Sequence, residues 1–98
     1  MYSVEYLPEA IADILEIEEY LNQYNLVAAD KFEETLNERG TTLAKLPFIW
    51  PVYEKDPFFR RMVMDDYLLF YSVDERCELV IIHRIFHHAQ DVDQQMLR

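Results

Sequence analysis

Two runs in the second half of the chain, "YLLFYSV" at residues 67–73 and "LVIIHRIF" at residues 79–86, are apolar at most positions. Side chains of a strand alternate between the two faces of its sheet, so a strand with one wet face carries a polar residue at every second position. These runs do not. They predict two central strands covered on both sides, and the rest of the chain has to supply that cover. "FFRRMVM" at residues 58–64 reads as a third strand. Asp65-Asp66 and residues 74–77 separate the three and are acceptable turns, which gives a three-stranded antiparallel meander.

The first half supplies helices. "YSVEYL" alternates as a short first strand, and Pro8 then stands where a helix can begin without losing a hydrogen bond. Ile11, Ile14, Leu15 and Leu21, flanked by Ile17 and Tyr24, recur at helical spacing, with Glu9, Asp13, Glu16 and Glu19 on much of the other side. The spacing predicts an amphipathic helix over about residues 8–23. Ala29, Phe32, Leu36 and Leu43 mark a second helix after a short break, which favours a helical hairpin. Gly40 and Thr41-Thr42 weaken that helix and predict a kink or early fraying. "KLPFIWPVYEKDP", with three prolines in thirteen residues, is an irregular loop whose aromatics return to the core.

The result is an α+β fold: strand, helical hairpin, then a three-stranded antiparallel meander, the sheet mostly antiparallel with the helices packed on one face. The 98 residues make one domain, long enough to bury roughly 65% of its unfolded surface. A helix hairpin covers one sheet face only. The other is expected to need a loop and an apolar contact with a second chain.

Charge narrows the partners. Nineteen acidic against nine basic residues give −10, a field that opposes attraction to free DNA or to anionic membranes. Residues 1–49 hold ten acids and three bases and residues 50–98 nine acids and six bases, so any anion site should draw on Arg60, Arg61, Arg76 and Arg84. Cys77 is the single cysteine, which excludes an internal disulfide and fits a reducing compartment. No basic leader with a long apolar run and no membrane-length apolar segment is visible, so the expectation is a cytoplasmic protein.

The last strand also gathers His83, Arg84, His87 and His88. Regular alternation would place Leu79, Ile81, His83, Ile85 and His87 on one face and Val80, Ile82, Arg84, Phe86 and His88 on the other. On one face His83 and His87 still lie about 13 Å apart, too far for one zinc ion. No metal or other cofactor is expected. The plainer reading of the cluster is ion pairing of Arg84 with a carboxylate such as Asp91 or Glu78, with the histidines bonded at the sheet margin.

The order of these elements, with "YLPEAIADILEIEEYL" early and "RRMVMDDYLLFYSVDERCELVIIHRIFHHAQD" late, resembles the RelE/ParE superfamily of bacterial toxins. Arg60 or Arg61 corresponds to an arginine that often opens the family's second strand. "YLLFYSVD" matches its aromatic-rich strand, and "RIFHHAQD" from Arg84 to Asp91 matches its last strand, with Gln90 where arginine is common. The resemblance implies the toxin of a type II toxin–antitoxin pair, neutralised by a cognate antitoxin that lays an amphipathic helix on the hairpin and adds a strand to a sheet edge. Residues expected to meet that helix are Ile14, Ile17, Tyr24, Phe32 and Leu36.

Two activities accompany the resemblance: inhibition of DNA gyrase by ParE-like members, and ribosome-dependent cleavage of mRNA by RelE-like members. RNA cleavage through a 2′-hydroxyl needs a base, an acid and cations. Arg60, Arg61, Arg84 and His87 are the candidates for a nuclease site. The loop before the second strand offers only Lys45 and Lys55 among Glu54 and Asp56, and the ending of the chain is more ParE-like. Gyrase is therefore the favoured target, with the nuclease and a non-toxic antitoxin-binding module as alternatives.

Overall fold

The structure is a computed structural model that describes residues 1–88 and 92–96. Its elements are β1 (Ser3–Tyr6), α1 (Pro8–Tyr24), α2 (Leu26–Lys45), β2 (Arg60–Met64), β3 (Tyr67–Asp74), β4 (Leu79–His87) and α3 (Val92–Met96). Four strands form one sheet in the order β1-β4-β3-β2, with β1 parallel to β4 and the other pairs antiparallel. The two runs expected at the centre, β3 and β4, are the inner strands.

Local chemistry explains the element ends. Pro8 occupies the first turn of α1, and Asn25 serves both helices. Its N–H donates to the Leu21 carbonyl at 2.7 Å, and its side-chain oxygen accepts from the Ala28 N–H at 3.1 Å. One residue thus closes α1 and caps α2. Asp65 in the β2–β3 turn has φ 54°, a left-handed conformation that aspartate tolerates better than most side chains.

The early fraying expected at Gly40 does not occur: α2 runs on through Thr41 and Thr42 to Lys45. Both hydroxyls donate back to carbonyls four residues earlier, those of Asn37 and Glu38, at 3.1 Å. This satisfies the threonines inside the helix instead of pulling them into competing turns.

Each sheet face has its own core. On the helix side, Ala10 of α1 and Phe32, Leu36 and Leu43 of α2 pack on Met62, Leu69, Tyr71 and Ile82. On the other side, Leu68, Phe70 and Phe86 lie beneath Tyr53 and Phe59 of the 46–59 loop and Val92 and Met96 of α3. That second face was expected to need the loop and a second chain; the chain covers it with the loop and with a helix the sequence pattern did not reveal.

α3 is held by polar contacts as well as apolar ones. Tyr53 Oη donates to the Asp93 carboxylate, which also pairs with Lys55 Nζ at 2.6 Å. Burial, and then the Asp93 bond, pushes the Tyr53 phenol up to about 12. Lys55 and then Tyr53 hold Asp93 below the usual carboxylate range.

Candidate functional site

The register of β4 decides where its polar side chains go. Phe70 pairs with Arg84 but Tyr71 with Ile82, so His83 is an extra residue, a β-bulge. Alternation slips there. Val80 and Ile82 face the helices before the bulge, Ile85 faces them after it, and Phe86 joins the opposite core. The expected common face of His83 and His87 is therefore broken, and the two rings lie on opposite sides of the sheet.

His83 is half-buried on the loop side, its ring edge-on to Phe59 and Phe58 at centroid distances of 4.9 and 5.9 Å. Its Nε2 lies 2.8 Å from the Ser72 hydroxyl. Burial lowers the pKa of this imidazole, favouring the neutral ring.

Arg84 is paired with Asp13, an acid not considered as its partner from the sequence; Asp91, one of the two that were, lies outside the described residues. The Arg84 Nε and a terminal nitrogen donate to the two Asp13 carboxylate oxygens at 2.8 and 3.1 Å. One of those oxygens also accepts the Ile85 backbone N–H at 2.9 Å. Asp13 sits on α1, so this fork ties the helix to β4 beyond the end of β1. The bond to Asp13 raises the Arg84 pKa.

Arg60 and Arg61 point to opposite faces, as adjacent strand residues must. Arg60 donates to the Trp50 carbonyl at 2.6 Å and stacks over the Phe48 ring at 5.0 Å. Arg61 lies 5.8 Å from the Tyr53 ring centroid, beside the cleft that Asp93 and Glu54 also line.

His87 stands apart from all three arginines. It is exposed and meets the Tyr67 ring at 5.6 Å on the helix side. Tyr67 pairs with His87 and Tyr71 with Arg60, so along β3 the His87 and Arg60 rows are four residues, about 13 Å, apart. The four residues named for a nuclease do not converge on one phosphate-sized site. Among the described residues no group of three His, Cys, Asp or Glu side chains is arranged to hold a metal ion, and no helix is long and apolar enough to cross a membrane. Gln90 and Asp91, the end of the last-strand motif, lie outside the described residues.

The hairpin surface also differs from expectation. Phe32 and Leu36 are 4% and 7% exposed and belong to the chain's own core, so a partner cannot reach them. Ile14 and Ile17 are half-buried against that core, and Tyr24 is 70% exposed. What the hairpin shows instead is Leu15, Tyr20, Leu26 and Val27. Tyr20 and Tyr24, four apart and with ring centroids at 4.8 Å, carry the sequence signal for this surface, an aromatic pair set off from the core stripe. Beside them a groove of about 530 Å³ runs between α1 and the ends of β3 and β4, with Glu16, Tyr20, Asp66, Tyr67 and His87 on its walls.

The family model for the ParE toxin of the type II toxin–antitoxin system parDE matches residues 4–92. The chain belongs to the ParE toxin family. Solved structures agree on the fold of this ParE-family chain. The chromosomal ParDE system of P. aeruginosa matches at TM-score 0.71 and 19% identity, covering 89% of this chain and 96% of that one. The toxin–antitoxin complex RelBE2 from Mycobacterium tuberculosis matches at 0.62 and 19% identity, over 91% and 93%. The isolated E. coli RelE toxin matches at 0.61 and 13% identity, over 99% and 96%. None of the curated proteins matches the sequence. The likeness therefore places this ParE-family chain in the RelE/ParE superfamily fold.

Proposed function

We propose that this ParE-family chain is the toxin of a type II toxin–antitoxin pair, that it arrests growth by acting on DNA gyrase, and that a cognate antitoxin neutralises it. The family match over residues 4–92 carries the toxin reading. The dispersal of the candidate catalytic side chains supports gyrase over mRNA. Nucleolytic cleavage needs acid, base and cation at one scissile phosphate. Here Arg84 is forked onto Asp13, Arg60 is bonded to the loop backbone, and His87 lies on the helix side, its row four residues along β3 from that of Arg60. A poison that acts by binding needs no such convergence.

Controlled expression is expected to stop growth, with relief when the adjacent reading frame is co-expressed. With purified gyrase and plasmid, the protein is expected to accumulate cleaved DNA and block supercoiling. Cut messages on translating ribosomes, with supercoiling untouched, would replace gyrase by the RelE-like reading. Arg84→Ala and His87→Ala would then be expected to abolish cutting. If induction leaves growth unchanged, a non-toxic antitoxin-binding module takes the place of both.

A further inference from the structure

We propose that the groove between α1 and the β3–β4 ends is a receptor for one arginine side chain, presented by an apolar segment of the neutralising protein. This rests on the antitoxin reading above and adds the chemistry of the contact.

Three observations on the walls converge. Aromatic rings come from both sides: Tyr20 from α1, and Tyr67 from β3 with His87 edge-on to it at 5.6 Å. Two carboxylates, Glu16 and Asp66, stand on the same two walls, and no lysine or arginine lines the groove among the described residues. Its volume, about 530 Å³, is large enough for a side chain of arginine's length to enter.

A guanidinium satisfies both wall types at once. Its flat face stacks on a tyrosine ring, its edge donates in pairs to a carboxylate, and its methylene stem lies along Ile17 and Leu21. An ammonium has no flat face, and an anion would meet two like charges. The adjoining smaller cleft shares Asp66 and Tyr67 with the groove and is lined also by Lys31 and Asp65.

The test uses N-acetyl-argininamide on the full-length chain, followed by nuclear magnetic resonance of the backbone amides. Saturable shifts are expected at Tyr20, Ala28, Tyr67 and His87. Affinity should fall roughly tenfold in Glu16→Gln/Asp66→Asn and again in Tyr20→Ala, and stay unchanged in Glu33→Gln/Glu34→Gln, which removes the same charge from exposed positions elsewhere. Equal binding of the uncharged citrulline amide, equal loss in both double variants, or shifts spread over the acidic surface overturns the proposal.

The same variants are scored for growth arrest and for its relief by the adjacent-frame protein. Arrest in Glu16→Gln/Asp66→Asn with weakened relief supports the antitoxin as occupant, and full relief overturns it. A wild-type chain that does not arrest growth sinks the toxin reading, while the argininamide titration still decides whether the groove holds a guanidinium.

Discussion

Asp13 shows how one carboxylate can settle several questions at once. It accepts a forked pair from Arg84 and a backbone N–H from Ile85, where β4 has run past β1 and would otherwise expose an open edge. The Asp13 side chain is 14% exposed and the Arg84 side chain 31%, so the pair is largely but not wholly withdrawn from water. Removing the acid leaves a half-buried guanidinium and an orphaned amide. Asp13→Ala is expected to cost about 2–3 kcal/mol, below the full buried-pair penalty because Arg84 keeps some solvent. A domain of this size should lose roughly 10–20 °C in Tm. Adding Arg84→Ala should cost less than the two single changes summed, as expected of coupled partners. A Tm drop of only a degree or two in thermal unfolding would show that the fork is idle.

The bulge beside this pair is also where the sequence was least legible. Val80, Ile82, Ile85 and Phe86 are all apolar, so nothing in their pattern marks the slip at His83. An apolar strand buried on both faces carries no polar phase against which to detect an extra residue.

At the scale of elements, α2 is the instructive case. Gly40 suggested a break because glycine gives up more backbone freedom than other residues on entering a helix. The helix continues because its apolar stripe, Phe32, Leu36 and Leu43, is fixed in the helix-side core on both sides of the glycine. Tertiary packing outweighs a local cost of about 1 kcal/mol. Gly40 has no positive φ, and a Cβ added there would meet only the Tyr6 hydroxyl at 3.6 Å, an ordinary contact. Gly40→Ala is therefore expected to stabilise the protein by about 0.5–1 kcal/mol, raising the midpoint of urea unfolding without changing its slope. A lowered midpoint would mean that the close approach of β1 to α2 requires the missing side chain.

The hairpin and the meander were readable because each has a period and clear ends. α3 was not, since five residues span little more than one turn and their burial depends on a loop distant in sequence. The nuclease candidates failed to meet for a related reason: residue type is visible in sequence, whereas convergence depends on register and on which acids lie across the fold.

The whole molecule carries its charge unevenly, and this has a consequence for stability. Glu9, Asp13, Glu16, Glu18 and Glu19 crowd α1, and Asp30, Glu33, Glu34 and Glu38 crowd α2. Folding brings these two acidic surfaces together as a hairpin, while the unfolded chain spreads the same charges apart. Self-repulsion thus opposes the native state more than the unfolded one. Salt shortens its reach, from about 30 Å at 0.01 M to about 8 Å at 0.15 M, whereas the Arg84–Asp13 fork, at contact distance and partly buried, is screened much less. Sodium chloride added over that range is expected to raise Tm by a few degrees. The gain should shrink in Glu33→Gln/Glu34→Gln, which relieves part of the repulsion beforehand. A Tm that falls with salt in calorimetry would mean that attractive surface pairs outweigh the repulsion. A basic partner would relieve the same strain by neutralisation: its association should slow as salt rises, even as the free chain grows more stable.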